Sequence, residues 1–280
     1  MIAAPPLPDS ADVDPVVQEA FLWACQAELA AVKPGNVHVH APGHRMTVAD
    51  FETSARVAAP HIARRGATVG RRIRDAMTAT VAAVGTNTNL GILLLAAPLA
   101  AAFERGGPLR ASLSDVLAGL TVEDAVDAFA AIRLASPGGL GSASRHDVAA
   151  PPEVDLRAAM AEAAERDRIA RQYVTVFEDV FEIGLPALGA ARTRRLADEQ
   201  ATVATYLALA AAFPDTHVQR KFGAAVASRI QEEFAGFAAG GAASDHEALL
   251  AFDTSLKARG INPGTSADLT VATLMVMRLC

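Results

Sequence analysis

The sequence has few aromatic residues, few cysteines and no surplus of basic charge. Aromatic residues make up 5% of the 280 residues, and the two cysteines, Cys25 and Cys280, form no spacing typical of a disulfide framework or a metal site. This cysteine content favours the reducing cytoplasm. The formal net charge of −6 argues against a general nucleic-acid binder, because no basic surplus is present to neutralise phosphates.

The sequence also lacks an apolar run long enough to cross a bilayer. The most apolar stretch, 90–103, is shorter than the roughly 20 residues that a span requires, and it contains Pro98. Residues 1–14 are rich in proline and acidic residues but lack the basic and apolar regions of a signal peptide. We therefore expect a soluble protein without a membrane partner.

The sequence is rich in hydrophobic residues, at 51% of the total, and they recur at helical spacing. No stretch alternates convincingly with a period of two, as a half-buried strand would. We expect an all-α protein with no sheet: residues 1–13 disordered or extended, and 14–280 a single compact domain of about ten helices. The signals that start these helices include Asp14-Pro15, Thr47–Asp50, Ser112–Asp115, Thr121–Asp124, and Asp155, which opens a predicted long helix to about Phe181.

A polar stretch, Val84–Gly91, interrupts the most apolar of these patterns, which otherwise predicts one helix from Ile73 to Phe103. Backbone groups freed by such a break need partners. Either a ligand rich in hydrogen-bonding groups supplies them, or the stretch is a buried turn with Gly85 ending one helix and Asn89 capping the next. The rest of the chain favours the ligand.

Several carboxylates stand beside polar loops. Glu28 continues the apolar stripe of Val17, Phe21 and Ala24, where a charge is costly unless it is paired or used. Asp50 fits a capping box and Asp215 fits an N-cap, although His217, Arg220 and Lys221 crowd the turn after Asp215. The glycine-containing loop 260–266 resembles an anion nest that leads into a helix. Asp268 would lie in the first turn of that helix, either as a favourable charge near the helix N-terminus or as a catalyst.

Two groups of cationic residues have less specific patterns. His38, His40 and His44 lie in an irregular loop, and no further His or Cys cluster completes a zinc site, which favours surface or substrate-facing histidines. Five arginines between Arg64 and Arg74 form either a solvated face or part of a polyanion site.

Four blocks in order resemble the triphosphoribosyl-dephospho-CoA synthase family over about residues 20–278. The blocks are Glu28…Lys33-Pro34-Gly35-Asn36-Val37 with Phe51 and Ser54; Met77…Thr80…Gly85-Thr86-Asn87-Thr88-Asn89…Gly91; Asp215-Thr216-His217…Arg220-Lys221…Gly223; and Asn262-Pro263-Gly264-Thr265-Ser266-Ala267-Asp268-Leu269. The resemblance implies an all-helical fold. It also implies a reaction in which the 2′-hydroxyl of 3′-dephospho-CoA displaces adenine from C1′ of the ribose of ATP.

The chain departs from the family pattern at several positions. His44-Arg45-Met46 lacks the aspartate of a His-x-Asp-Met element, Asn89 and His217 replace a His and an Asn, and Thr265 replaces a Gly. The loop 136–141 is similar to that of the methanogen and methylotroph branch. These departures leave three interpretations open. The protein is the synthase, a different nucleotide-dependent enzyme (a hydrolase of N-glycosidic bonds or an enzyme of methanopterin- or methanofuran-type one-carbon coenzyme biosynthesis), or a non-catalytic coenzyme-binding protein. A homodimer is plausible.

The implied reaction assigns roles to the matched residues. Glu28 or Asp268 would deprotonate the acceptor hydroxyl, with Asp215 as a third catalytic carboxylate. Asp215 and Asp50 would hold Mg²⁺ on the triphosphate of ATP. The residues expected to bind ATP or the acceptor are Lys33, Gly35, Asn36, Asn87, Thr88, Asn89, His217, Arg220, Lys221, Gly264 and Ser266.

Overall fold

The computed structural model describes residues 3–39, 41, 46–136, 148–239 and 245–280. Within these ranges no β-strand is formed, and the β-structure consists of isolated bridges such as Val13–Arg64 and His38–Ala41. The predicted all-α class is therefore confirmed, with fourteen α-helices in the described residues against the ten or so expected. In chain order, α1–α14 are Pro15–Ala30, Val48–Ile62, Val69–Val84, Leu90–Arg105, Leu109–Ala118, Val122–Ala135, Leu156–Ala163, Arg168–Thr175, Leu185–Thr193, Asp198–Ala212, Thr216–Phe222, Ala224–Ala239, His246–Ala258 and Gly264–Leu279.

The chain divides into two compact units, each built from separated stretches of sequence. Unit 1 comprises Met1–Trp23, Asp50–Phe177 and Arg278–Cys280, and unit 2 comprises Ala24–Ala49 and Glu178–Met277. The prediction of a single domain over residues 14–280 stays a prediction. Residues 10–12, in the segment expected to be disordered or extended, form a short 3₁₀ turn.

Unit 1 packs around the apolar helix α4, whose Leu93, Leu95 and Leu99 are fully buried. Helices α3 and α6 approach closely at Gly70, where an added Cβ would lie 2.5 Å from the Asp124 Cα atom. The Gly70 N–H also donates to the Asp124 carboxylate at 2.8 Å. A glycine at this position is required by the close approach of the two backbones.

Unit 2 has its own hydrophobic core, formed mainly by α10, α12 and α13. Tyr206 and Phe234 meet edge to face with ring centroids 5.8 Å apart, and Phe234 meets Phe252 in the same manner at 5.0 Å. Val218, Leu256 and Ile261 pack into the same core cluster. Carboxylates near this core lie among apolar side chains, where unpaired charges are costly.

Several predicted helix starts are confirmed. The Asp14 carboxylate accepts the N–H groups of Val16 and Val17 at 3.0 and 3.2 Å before α1. Thr121 and Asp124 form the expected reciprocal capping box of α6. These are local bonds between residues two or three apart, so sequence spacing alone predicts them.

Two predicted elements are wrong. Ser112 does not begin a helix: α5 already starts at Leu109, and the Ser112 hydroxyl donates to the Gly106 carbonyl. The long helix predicted from Asp155 to about Phe181 ends at Ala163, because Asp167 accepts two backbone N–H groups and caps a new helix, α8. A π-helical turn, Val180–Gly184, then precedes α9.

The arginine cluster of unit 1 is paired with carboxylates of the same unit. Arg65 meets Asp14 at 3.0 Å, Arg71 meets Asp75 at 3.4 Å and Arg74 meets Asp127 at 2.6 Å. The buried Arg72 pairs with Glu104 and donates to two backbone carbonyls. This pairing accounts for four of the five arginines without a polyanionic ligand.

Among the described residues, every individual helix is too short or too polar for a membrane span. Only α4 and α5 taken together reach the required length and apolarity, and a bend of 111° separates them.

Candidate active site

Glu28 and Lys33 form a buried ion pair at the end of α1 in unit 2. Val17, Phe21 and Ala24 are buried as predicted, and Glu28 follows them on the same stripe. The Lys33 Nζ atom lies 3.1 Å from Glu28 Oε1 and donates to the carbonyl oxygens of Glu28 and Val37 at 2.8 and 2.7 Å. Three protein oxygens therefore receive the three donors of an ammonium group. The predicted contact between Lys33 and phosphate stays a prediction, and it requires the ammonium to leave one of these oxygens.

Burial and pairing have opposite effects on the pKa values of the two groups in this ion pair. Burial raises the pKa of the Glu28 carboxyl, and the nearby Lys33 charge reduces that rise without cancelling it. Burial likewise lowers the pKa of the Lys33 ammonium against the opposing effect of Glu28. The two shifts bring the pKa values of the carboxyl and the amine closer together, which makes the pair better suited to exchanging a proton than an exposed pair would be.

The segment after Lys33 packs on the loop before α14, which joins the first and fourth sequence blocks. Gly35 has a φ of +85°, and an added Cβ would lie 2.8 Å from the Pro263 Cδ atom. The Asn36 amide donates to Asn262 Oδ1 at 2.9 Å, and its own oxygen accepts the Val37 N–H at 2.7 Å. Gly35 and Asn36, predicted to bind substrate, thus have structural contacts that fix this segment.

Asp253 on α13 holds the same segment, and sequence reasoning missed it. Its Oδ1 atom accepts the Gly35 N–H at 2.8 Å. Its Oδ2 atom lies 3.3 Å from His38 Nε2 and 3.0 Å from Lys257 Nζ. Burial tends to raise the pKa of Asp253, but these three partners together bring it below its ordinary value. Burial lowers the pKa of His38, although Asp253 opposes that change.

A sequence signal for Asp253 was present. Leu249, Asp253 and Leu256 recur at spacings of four and three, and all three are buried. A carboxylate on an apolar helical stripe is the same signal that identified Glu28. His38 belongs to the histidine-rich loop noted above, whereas His40 and His44 lie outside the described residues.

Asp215 joins the start of α11 to the start of α14. Its Oδ1 atom accepts the N–H groups of His217 and Val218 at 2.9 and 3.2 Å, which confirms the N-cap. Its Oδ2 atom accepts both the N–H and the hydroxyl of Ser266 at 2.8 Å. The third and fourth sequence blocks therefore meet through one carboxylate.

These bonds revise three predictions. A carboxylate has about four lone-pair sites, and four protein donors occupy those of Asp215, so as placed it does not fit the role of a magnesium ligand. In the anion nest predicted at 260–266, the N–H group of Ser266 binds the internal carboxylate of Asp215. The N–H group of Gly264 donates to the backbone carbonyl of Asn262 at 2.8 Å. Asp268 lies beyond the first turn of α14, because that helix already begins at Gly264.

No group of three or more metal-ligating side chains occurs within the described ranges. Asp50, the other predicted magnesium ligand, lies in the first turn of α2 and belongs to unit 1. Magnesium carried by ATP stays a prediction.

Burial raises the pKa of the Cys25 thiol, and the charges of Glu28 and Asp268 raise it further. The two candidate bases therefore lie near the same side chain. Tyr206 has a similar position among carboxylates. Burial raises the pKa of its hydroxyl, with further contributions from Asp215, Glu28 and Asp253. That hydroxyl donates to the Pro34 carbonyl at 2.8 Å.

The other cationic residues of the third sequence block lie on α11. Lys221 is exposed, and its Nζ atom lies 3.4 Å from the Gly260 carbonyl oxygen and 5.1 Å from the centre of the Phe222 ring. Arg220 is half-buried on the same helix. The His217 ring lies beside Gly264, where an added Cβ would be 3.2 Å from its Nδ1 atom. Their predicted contacts with ATP stay predictions.

The polar stretch of unit 1 forms the link between α3 and α4. Gly85 ends α3 in the left-handed conformation as expected. Asn89 occupies the N-cap position of α4 without a capping bond, and Asn87 accepts the Leu90 N–H at 3.1 Å instead. The Thr88 hydroxyl donates to Ser54 at 2.6 Å.

The Asn89 side chain is buried, but only half of its amide is satisfied. Its nitrogen donates to the Thr80 hydroxyl at 3.2 Å, while its oxygen has no hydrogen-bond partner among the residues that the structure describes. Exchanging the assigned oxygen and nitrogen would leave an amide donor unpaired instead. An unsatisfied buried polar group costs about 1–3 kcal/mol, which supports the ligand interpretation of this stretch over the simple turn.

Three comparisons with known proteins identify the family and the fold of the chain. The profile of a family described as ATP:dephospho-CoA triphosphoribosyl transferase matches residues 15–280. A 2-(5″-triphosphoribosyl)-3′-dephosphocoenzyme-A synthase from Pectobacterium atrosepticum is 36% identical over 100 residues, which are 36% of this chain and 33% of that protein. A crystal structure from Archaeoglobus fulgidus, provisionally named a triphosphoribosyl-dephospho-CoA synthase, has the same fold with a TM-score of 0.62 and 24% identity, covering 80% of this chain and 96% of the other.

Proposed function

This chain belongs to the ATP:dephospho-CoA triphosphoribosyl transferase family, and from that membership and the site geometry we propose that it transfers the triphosphoribosyl group of ATP to the 2′-hydroxyl of 3′-dephospho-CoA. The bond from the acceptor oxygen to ribose C1′ forms as the bond from C1′ to adenine breaks. The hydroxyl proton passes to a protein base, and one proton is delivered from a protein acid or solvent to the departing adenine, so the overall reaction neither consumes nor releases a proton. The triphosphate stays on the transferred ribose.

The observation that carries the proposal is the buried Glu28–Lys33 pair within the first sequence block. Displacement at an anomeric carbon passes through a positively charged, oxocarbenium-like state, which a nearby carboxylate stabilises. Glu28 fits the base, because burial raises its pKa and strengthens it as a proton acceptor. Lys33 would then hold and orient Glu28 rather than bind phosphate. Asp268 is the second candidate for the base.

The nucleotide side of the reaction would use the other matched blocks. We assign phosphate neutralisation to Arg220 and Lys221 on α11, whose cationic groups suit a polyanion. Asn87, Thr88 and Asn89 would bind the ribose or the edge of adenine, and the unpaired amide end of Asn89 supports that role. Magnesium would arrive bound to ATP, and the proposed steps require no metal ion held by the protein itself.

The departures from the family pattern concern the identity of the acceptor more than the use of ATP. A pterin- or furan-type one-carbon coenzyme precursor in place of 3′-dephospho-CoA is the alternative that the sequence departures suggest. A cytoplasmic location and a homodimer complete the proposal.

Mass spectrometry of the protein incubated with Mg-ATP, with and without 3′-dephospho-CoA, tests the function. We expect adenine release that depends on the acceptor, together with a triphosphoribosylated product. Adenine release without acceptor would replace the transferase by a glycosidic hydrolase. ATP binding without any turnover, seen as a rise in the unfolding temperature, would indicate a binding protein.

A further inference from the structure

We propose that Asp253 is a positioning residue for the Glu28–Lys33 pair, acting through the segment 35–38 and through charge rather than by touching substrate. The inference rests on the proposed function for its catalytic consequence. Its structural part, that Asp253 controls the state of Lys33, stands without it.

The geometry provides the mechanical link. Asp253 holds Gly35 through one carboxylate oxygen and His38 through the other. These residues flank Val37, whose carbonyl accepts a hydrogen bond from Lys33 Nζ. Asp253 therefore fixes both sides of a carbonyl that orients the lysine, and the lysine in turn holds Glu28. Displacements of about 1 Å at a reacting group can cost up to about 100-fold in rate, so this chain of contacts is catalytically significant.

The charges provide the electrostatic link. Lys257 disfavours the charged form of Lys33, and Asp253 favours it. Asp253 and Lys257 lie 3.0 Å apart, so their charges act on Lys33 from nearly the same place and oppose each other in the native protein. Removing one partner leaves the other uncompensated, and the two removals should change the pKa of Lys33 in opposite directions.

Other ionisable groups of unit 2 adjoin this network on the elements around it. They are His38 on the same segment, Tyr206 on α10, Asp215 before α11, and Cys25, whose pKa is raised by burial and by the charges of Glu28 and Asp268. The charged group that changes the pKa of the Glu28 carboxyl is Lys33. A change at Asp253 should therefore reach Glu28 through Lys33.

The sequence makes the state of Lys33 directly observable. The chain has three lysines, Lys33, Lys221 and Lys257, so NMR of protein labelled with ¹³C at the lysine ε-carbon gives three signals to follow with pH. The Lys33 signal is the one lost in Lys33→Met. This readout requires neither substrate nor turnover.

The test compares Asp253→Asn, Lys257→Met and the double variant. Asparagine keeps an oxygen for the Gly35 N–H but removes the charge, so we expect Lys33 to lose its proton at lower pH than in the native protein. Lys257→Met should have the opposite effect, and the double variant should return toward the native titration. The matched control is Glu247→Gln, which neutralises an exposed carboxylate on the same helix, α13, and should leave the Lys33 titration unchanged.

The catalytic part has its own readout. Asp253→Asn should lower kcat by about 10- to 100-fold with little change in KM, and it should move the acid limb of the kcat profile to higher pH. Opposite pH shifts in the two single variants are not expected of a residue that only stabilises the fold. A Lys33 titration that is unmoved, or moved the same way in both variants, would overturn the inference. Absence of product from the native protein would instead overturn the proposed function.

Discussion

Two carboxylates of unit 2, Glu28 and Asp215, are almost equally buried, at 5% and 4% exposure, yet their surroundings differ completely. Asp215 accepts four hydrogen bonds from neutral donors at the starts of α11 and α14. Glu28 faces a buried ammonium group whose own pKa is displaced. Burial therefore does not distinguish a structural carboxylate from a reactive one; the partners do.

The difference follows from what each environment offers the carboxylate. Four N–H and O–H donors occupy the lone pairs of Asp215 and fix its position. A single cation in a desolvated site gives only a weak preference for the ionised carboxylate, because the cation can release its own proton to the carboxyl. Asp215 is thus suited to holding two helices together, and Glu28 to accepting a proton.

Glu28→Gln should have the largest effect of the variants considered. Glutamine preserves size and removes the base, so we expect kcat to fall by about 10²–10⁴-fold, the usual contribution of a general base. Steady-state kinetics with Mg-ATP and 3′-dephospho-CoA measure the loss. Glu19→Gln, an exposed change on the same helix, is the control. Full turnover by Glu28→Gln would transfer the role of base to Asp268.

Lys33→Met should be the most destabilising change, at about 3–5 kcal/mol near neutral pH, because it leaves a buried carboxylate without its cation. Burial already raises the pKa of Glu28 above its ordinary 4.5, and loss of Lys33 raises it further. The folded variant then holds a proton that the unfolded chain releases, so its stability falls as pH increases above 4.5.

Urea unfolding at about pH 5 and about pH 8 checks this sign: the deficit relative to the native protein should be larger at the higher pH. Lys221→Met, which removes an exposed cation, should leave the free energy of unfolding nearly unchanged. A Lys33→Met deficit that is independent of pH would mean that Glu28 is not the group left unpaired.

Asp215→Asn should have the smallest effect, a loss of about 1–2 kcal/mol in the free energy of unfolding. The amide oxygen can still cap α11, but the amide nitrogen cannot accept the Ser266 N–H. We expect the magnesium dependence of ATP binding, measured by calorimetry, to stay as in the native protein. Weaker magnesium-dependent binding with unchanged stability would restore Asp215 as a metal ligand.

The sequence predicted the parts of this site that depend on neighbouring residues. Asp14 and Asp215 cap helices through bonds to residues two and three positions ahead, so their spacing was informative. Glu28 was identified because helical periodicity placed it on a buried stripe. Asp167 was missed because its cap lies inside a pattern that otherwise continues, and the interrupted helix was predicted as one.

The contacts that give these residues their roles connect distant positions. Asp253 and Gly35 are separated by 218 residues, and Asp215 and Ser266 by 51. Sequence periodicity states which face of a helix is buried, but it does not state which other helix covers that face. For this reason the sequence did not predict that the N–H and hydroxyl of Ser266 would bind the Asp215 carboxylate, and the binding of an external anion by the loop before α14 stays a prediction.

The sequence by itself determined the all-α class, most helix starts and the presence of carboxylates on buried helical faces, because these depend on backbone geometry within a few residues. Only the tertiary structure decided that Lys33 faces Glu28, that Asp253 holds the segment 35–38 beside this pair and that Asp215 accepts four hydrogen bonds. A hydrogen bond or buried ion pair requires two atoms within about 3 Å in a suitable direction, and for residues far apart in the chain only the packing of the helices brings atoms that close.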